Sequence, residues 1–173
     1  MNKPYNSKNL LSVETTTLLV VDCQSDLDPG STVPVNHSAI TTVERVVKSA
    51  RALSIPIIST IYSANGAPPA APLSSIAHLN TVVRANINPW EDDLIRTRIS
   101  DVGRDKIVIL GSCAKGGVSF AALGALETGY QPYIVVDAIH SASQLDASTA
   151  LTRMLQAGAI SLTGRQVMLE WGR

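Results

Sequence analysis

Three stretches of this chain hold residues able to do chemistry. In the first, the β-branched and apolar run TTTLLVVD ends on Asp22, with Cys23 and Gln24 directly behind it. A carboxylate that ends a buried strand is either a turn cap or an acid–base group at the edge of a site, and apolar surroundings raise its pKa toward neutrality. In the second stretch, VVRANINPW, a short strand Thr81–Val83 ends on Arg84, followed by Asn88 and Trp90. The guanidinium is a planar fork suited to a substrate carboxylate or carbonyl, and the amide of Asn88 and the indole of Trp90 are candidate polar and apolar walls. The plain alternatives are a surface arginine and a tryptophan packed in a subunit contact. In the third, GSCAKGGVSF places Cys113, Lys115, Gly116 and Gly117 between an apolar run and a helical pattern. Paired glycines at a helix start leave backbone N–H groups open to developing negative charge, although a tight turn needs them equally. His140, three residues beyond Asp137, is a further candidate on a predicted loop after the fifth strand.

These residues need a scaffold that gathers strand ends. Lys106–Ala138 supplies its centre: the apolar run Ile107–Leu110, the glycine turn, a helix with Val118, Ala121, Ala122, Ala125 and Leu126 on one side, a stop at Gly129, and a second run Tyr133–Val136. That is a βαβ unit, and its right-handed crossover puts the Ser112–Gly117 turn at the carboxyl edge of a parallel sheet, where open α/β folds place their sites. Around it, the spacing predicts a helix from about Ala39 to Leu53, capped by Asn36 or Ser38, and a strand IIST after Pro56. A helix Glu91–Ser100, a helix Ser148–Ala157 ended by Gly158, a strand Ala159–Leu162 and a closing helix capped by Thr163 follow. Strand and helix alternate about six times. The expected architecture is a three-layer α/β/α sandwich with a mainly parallel six-stranded sheet, one domain over residues 1–173 with residues 1–14 as a polar leading arm.

Composition limits the partners. Lys plus Arg and Asp plus Glu number 14 each, so no basic stripe points to nucleic acid and no acidic tail appears. No apolar run has membrane-spanning or signal-peptide length, which places the protein in the cytoplasm acting on a small-molecule substrate, with no membrane partner. Two cysteines and three isolated histidines lack metal-ligand spacing, and neither a metal nor a cofactor is expected. With 45% apolar and 16% charged residues, some apolar surface is expected to be covered by further copies in a homo-oligomer.

Along most of its length the chain resembles the isochorismatase-like, or cysteine hydrolase, superfamily, in its small hydrolase branch. The motifs that carry the resemblance are VVDCQ, VVRANINPW, GSCAKGGVSFAALGALETGYQPYIVVDA and the tail RMLQAGAISLTGRQVMLEW. In that superfamily an aspartate ends the first strand, a lysine follows the third and a cysteine nucleophile opens the helix after the fourth. The resemblance assigns Asp22 to the first role, with Gln24 two residues on as the pattern expects. It puts the lysine position at or next to Arg84, and, counted back from Gly129–Tyr130, puts the nucleophile position on Gly117. Cys113 lies four residues earlier, in the turn below the site, and is not the nucleophile. Three readings follow from the missing thiol. One is a hydrolase using Asp22 as general acid–base for vinyl-ether or related C–O or C–N cleavage, as in the branch that serves siderophore and phenazine pathways of secondary metabolism. Another is an isomerase, lyase or decarboxylase on the same fold, and the third is a catalytically dead binding or scaffold protein.

Overall fold

The protein's structure, a computed structural model, describes residues 9–24, 37–63, 76–112, 114–141 and 143–173. Among the described residues, six strands and five α-helices follow in the order β1 Thr16–Val21, α1 His37–Ala52, β2 Ile57–Tyr62, β3 Thr81–Arg84, α2 Asp93–Val102, β4 Lys106–Ser112, α3 Ser119–Glu127, β5 Gln131–His140, α4 Gln144–Ala157, β6 Ile160–Leu162 and α5 Gly164–Trp171. The strands form one sheet in the order β3-β2-β1-β4-β5-β6, every pairing parallel. The three-layer sandwich expected from the sequence is therefore present.

Parity along the central strands assigns the layers. Leu18 and Val20 of β1 and Val108 and Leu110 of β4 share a core with Val43, Val46, Val47 and Ala50 of α1 and Val167 and Trp171 of α5. Leu19, Val21, Ile107 and Ile109 point the other way, into a core built with Ile95 and Ile99 of α2, Ala121, Ala122 and Ala125 of α3, and Met154 of α4. Every residue of β1 and of β4 is buried, which is why both read as apolar runs without alternation. Burial of each such aliphatic side chain contributes about 1.5–3 kcal/mol.

Element ends follow local chemistry. Asp92 caps α2 through Ile95 N–H, Gly103 ends it at φ 67°, Ser143 caps α4, and Thr163 with Gln166 forms a capping box on α5. The predicted helix from Glu91 is instead a 3-10 turn Pro89–Glu91 followed by α2, because Asn88 and Asp92 each start a cap of their own. α4 begins at Gln144, four residues before the expected Ser148. Ser38 lies inside α1, and Asn36 is outside the described residues. The leading arm is described only from Asn9 onward. Its described part, from Asn9, is docked: Leu11 is fully buried, its N–H donates to Glu170 Oε2 at 2.6 Å, and Lys106 Nζ donates to the carbonyl of Leu10 at 2.6 Å. Among the described residues no helix is long and apolar enough to cross a membrane.

Candidate active site

The strand order reverses between β1 and β4, and the crevice beyond their carboxyl ends is where a doubly wound sheet binds its ligands. Asp22 leaves β1 at that point with φ 52°, in the left-handed region that aspartate tolerates better than most residues. Strict alternation would send its side chain with Leu18 and Val20 toward α1. The left-handed turn instead swings the carboxyl to the α3 side, where Tyr62 N–H donates to Oδ1 at 2.9 Å and Arg84 Nη2 pairs with Oδ2. Asp22 is 5% exposed. Burial pushes its carboxyl up to about 6, against the opposing pull of the Arg84 charge, the Arg84 hydrogen bond and the Tyr62 N–H.

Arg84, the last residue of β3, lies on the same face as Thr60 of β2. Its Nε–H donates to Thr60 Oγ1 at 2.9 Å, Nη1 donates to the carbonyls of Asn86 and Ile87, and the guanidinium carbon sits 5.6 Å from the centre of the Tyr62 ring. Four of its five N–H groups are thus engaged within the protein, and its side chain has no exposed surface. The expected substrate fork is accordingly turned inward: Arg84 holds Asp22. Thr60 and Tyr62 were not singled out in the sequence, although a threonine within a buried apolar strand was the available signal.

Gly117 completes the cluster. It belongs to a π turn, Ala114–Val118, that joins β4 to α3 and is closed by Ser119 Oγ donating to the carbonyl of Ala114 at 2.7 Å. Single π turns concentrate at functional sites. A β-carbon on Gly117 would stand 2.5 Å from Asp22 Oδ2, 2.9 Å from Val21 Cγ1 and 3.2 Å from Arg84 Nη2. Asp22, Arg84 and Gly117 are thus brought together from three separate strand ends. Gly116 is buried in the same turn, and Gln24 sits beside it all, its N–H donating to the carbonyl of Asp22 at 2.9 Å and its amide to the carbonyl of Tyr62 at 3.2 Å. A second glycine makes the approach possible: at Gly111 (φ 139°) a β-carbon would lie 1.8 Å from the carbonyl oxygen of Val21, so β4 can pass β1 here only without a side chain.

Other expected site residues fall elsewhere. Trp90 packs on Gly124, donates its indole N–H to Thr128 Oγ1 at 2.9 Å and meets Tyr130 edge to face, all at the far end of α3. It lines a crevice with Arg96, Ile99 and Ser100, away from Asp22. Asn88 caps its own 3-10 turn through Trp90 N–H at 3.0 Å. His140 is not on a loop: β5 runs three residues past Asp137 and ends on it, and Asp137 itself caps α5 by accepting from Gly164 N–H at 2.7 Å. His140 lines a narrow cavity on the α1 face with Cys23 and Ser112. Cys23 is buried and its thiol is pushed up to about 12 by that burial, with the Asp22 charge adding to it, so it is not a nucleophile at neutral pH. Lys115 is directed to Asp146 Oδ2 of α4 at 3.0 Å. Cys113 lies outside the described residues.

A parallel α/β sandwich with a buried strand-end aspartate at its switch point is a Rossmann-like arrangement. Within it, residues 16–166 match the model of the isochorismatase domain, and the chain belongs to the isochorismatase family. "Isochorismatase domain-containing protein 2" of Danio rerio is 28% identical over 161 residues, 92% of this chain and 80% of that protein. The Xenopus laevis protein of the same name is 28% identical over 131 residues, and the chain spans 64% of its length. Among solved structures, YcaC from Pseudomonas aeruginosa superposes with a TM-score of 0.86 at 24% identity, covering 98% of this chain and 85% of that one. YcaC from Escherichia coli, described as an octameric hydrolase of unknown specificity, gives 0.83 at 25% identity, with 99% and 85% covered.

Proposed function

We propose that this member of the hydrolase family cleaves a C–O or C–N bond of a small molecule by proton transfer at Asp22, with no covalent thiol intermediate. The observation that carries this reading is the Asp22 carboxyl itself, buried, poised near pH 6 and set against a residue, Gly117, that has no side chain to attack with. A general acid or base works best with a pKa close to the working pH. For an enol ether, protonated Asp22 would deliver its proton to the vinyl carbon, water would add to the resulting oxocarbenium ion, and the ionised carboxylate would take the proton that water releases. The hemiketal then collapses to a carbonyl and an alcohol. Arg84 acts as a positioning residue: its charge and hydrogen bond keep Asp22 from rising further and fix the direction of Oδ2. Assembly into a homo-oligomer is supported by the octameric Escherichia coli relative and by the exposed Val83 and Ile87 at and just beyond the edge strand β3.

The inward-turned guanidinium favours a second reading, in which the Asp22–Arg84 pair is purely structural and the protein binds without catalysis. A panel of small enol ethers and amides separates the two. Turnover that persists after thiol alkylation, and that falls by at least about 100-fold in Asp22→Asn, is the expected result for general acid–base catalysis. Turnover that survives Asp22→Asn, or is abolished by iodoacetamide and by Cys113→Ser, overturns the proposal.

A further inference from the structure

Trp90, expected from the sequence to wall the active site, instead lines a crevice with a chemistry of its own. We infer that this crevice, between α2 and the end of α3, is a second site that binds a small single-ring aromatic carboxylate, apart from Asp22. Its volume is about 180 Å³, and Trp90, Arg96, Ile99, Ser100, Thr128 and Tyr130 line it. Sites for drug-sized ligands span about 300–1,000 Å³, whereas a cavity of roughly 150 Å³ admits benzene. One ring with a short substituent is therefore what fits.

The lining is held in place by the protein itself. Asn88 caps the turn that carries Trp90, the indole N–H donates to Thr128 Oγ1 at 2.9 Å, and Thr128 Oγ1 donates in turn to the carbonyl of Gly124 at 2.7 Å. Gly124 leaves the hollow for the indole, since a β-carbon there would stand 2.5 Å from Trp90 Cγ. Tyr130 meets the indole with ring centroids 6.4 Å apart and planes at 69°, an angled corner against which a third ring packs edge to face or offset. Ile99, 1% exposed, closes the bottom. Arg96 is the one charged group among these lining residues. Its Nη1 is tied to the carbonyl of Trp90 and its Nη2 to Asp93 Oδ1, which fixes the guanidinium and leaves three of its five N–H groups without an acceptor among the described residues. The Asp93 side chain is 90% exposed, so water screens its charge. A carboxylate on a ring seated against Tyr130 thus meets a fixed, partly free guanidinium, with the Ser100 hydroxyl four residues along the same helix face as a further donor.

Fluorotryptophan labelling tests this on the whole protein, because the chain has two tryptophans and Trp171, buried in the core shared by α1 and α5, serves as internal reference. Benzoate, benzyl alcohol and acetate are titrated while both fluorine resonances are followed. Benzoate is expected to move the Trp90 resonance and leave that of Trp171, with a dissociation constant of roughly 1 mM, within reach of so small a ligand. Benzyl alcohol keeps the ring and acetate keeps the charge, and each is expected to bind at least about tenfold more weakly, having lost a charge-assisted hydrogen bond or the buried ring. Arg96→Gln should weaken benzoate by about tenfold or more. Ser100→Phe, at an exposed helix position, fills the crevice and should abolish the shift. Benzoate that leaves the Trp90 resonance in place, acetate or benzyl alcohol that binds as tightly as benzoate, or benzoate binding unchanged in either variant overturns the inference. A Trp90 resonance that moves with protein concentration alone overturns it too, because a second copy then occupies the crevice. None of these results depends on turnover at Asp22.

Discussion

Replacing Gly117 with alanine places one methyl group where the site has left none of the room for it. Its β-carbon would stand 2.5 Å from Asp22 Oδ2 and 2.9 Å from Val21 Cγ1, both well inside van der Waals contact. A carboxylate oxygen at the end of a free side chain would move aside at little cost. Here it is held by Arg84 and by Tyr62 N–H on the other oxygen, so relief requires breaking a buried pair. Overpacking of this kind costs about 1–3 kcal/mol. The gain from removing a glycine in a helical turn returns about 0.5–1 kcal/mol, leaving a net loss of roughly 1–2 kcal/mol. For a chain of this length the melting temperature should fall by roughly 2–8 °C. Urea denaturation of wild type and Gly117→Ala measures the loss, and carbon NMR of the Asp22 carboxyl should show its titration displaced from about 6. Gly117→Cys carries the same β-carbon, so a thiol cannot be restored without moving Asp22. A Gly117→Ala protein that is as stable as wild type, with Asp22 titrating unchanged, refutes the packing argument.

Two further outcomes follow from the titrating groups. Asp22 has a folded pKa of about 6 against an ordinary 3.8, so the folded state binds the extra proton between those values; the stability it confers is fully present below 3.8 and is lost as pH rises through 6. The stability difference between wild type and Asp22→Asn should therefore move against wild type by roughly 2–3 kcal/mol between pH 4 and pH 7, and a pH-independent difference in urea melts would contradict the burial-driven shift. Cys23, pushed up to about 12, should be alkylated by iodoacetamide in the folded protein at pH 8 about three orders of magnitude more slowly than free cysteine, and at the ordinary rate after unfolding. Peptide mass mapping of Cys23 reads this directly, and rapid labelling of the native protein would show the thiol is not enclosed.

What the sequence made legible was set by burial. β1 and β4 are enclosed on both faces, so their composition alone announced them as central strands, and the glycine turn between β4 and α3 fixed the edge at which the site lies. Side-chain direction at the strand ends was not legible, because it depends on one backbone angle. At Asp22 a φ of 52° breaks the parity of β1 and carries the carboxyl across to Arg84 and Gly117, while Cys23, one residue on, points into the α1-side core. His140 misled for the complementary reason: β5 continues three residues beyond the expected stop at Asp137, whose carboxyl is occupied as the cap of α5. Trp90 misled because nothing local shows that Gly124, one element away, leaves the hollow that receives the indole. The same dependence on backbone angle ties the candidate chemistry to the fold. Asp22 can meet Arg84 only because β1 ends in a left-handed residue, and β1 can end there only because Gly111 lets β4 pass its last carbonyl at close range. A substitution at Gly111, distant from any reacting atom, should therefore disturb the Asp22 carboxyl as surely as one at Gly117.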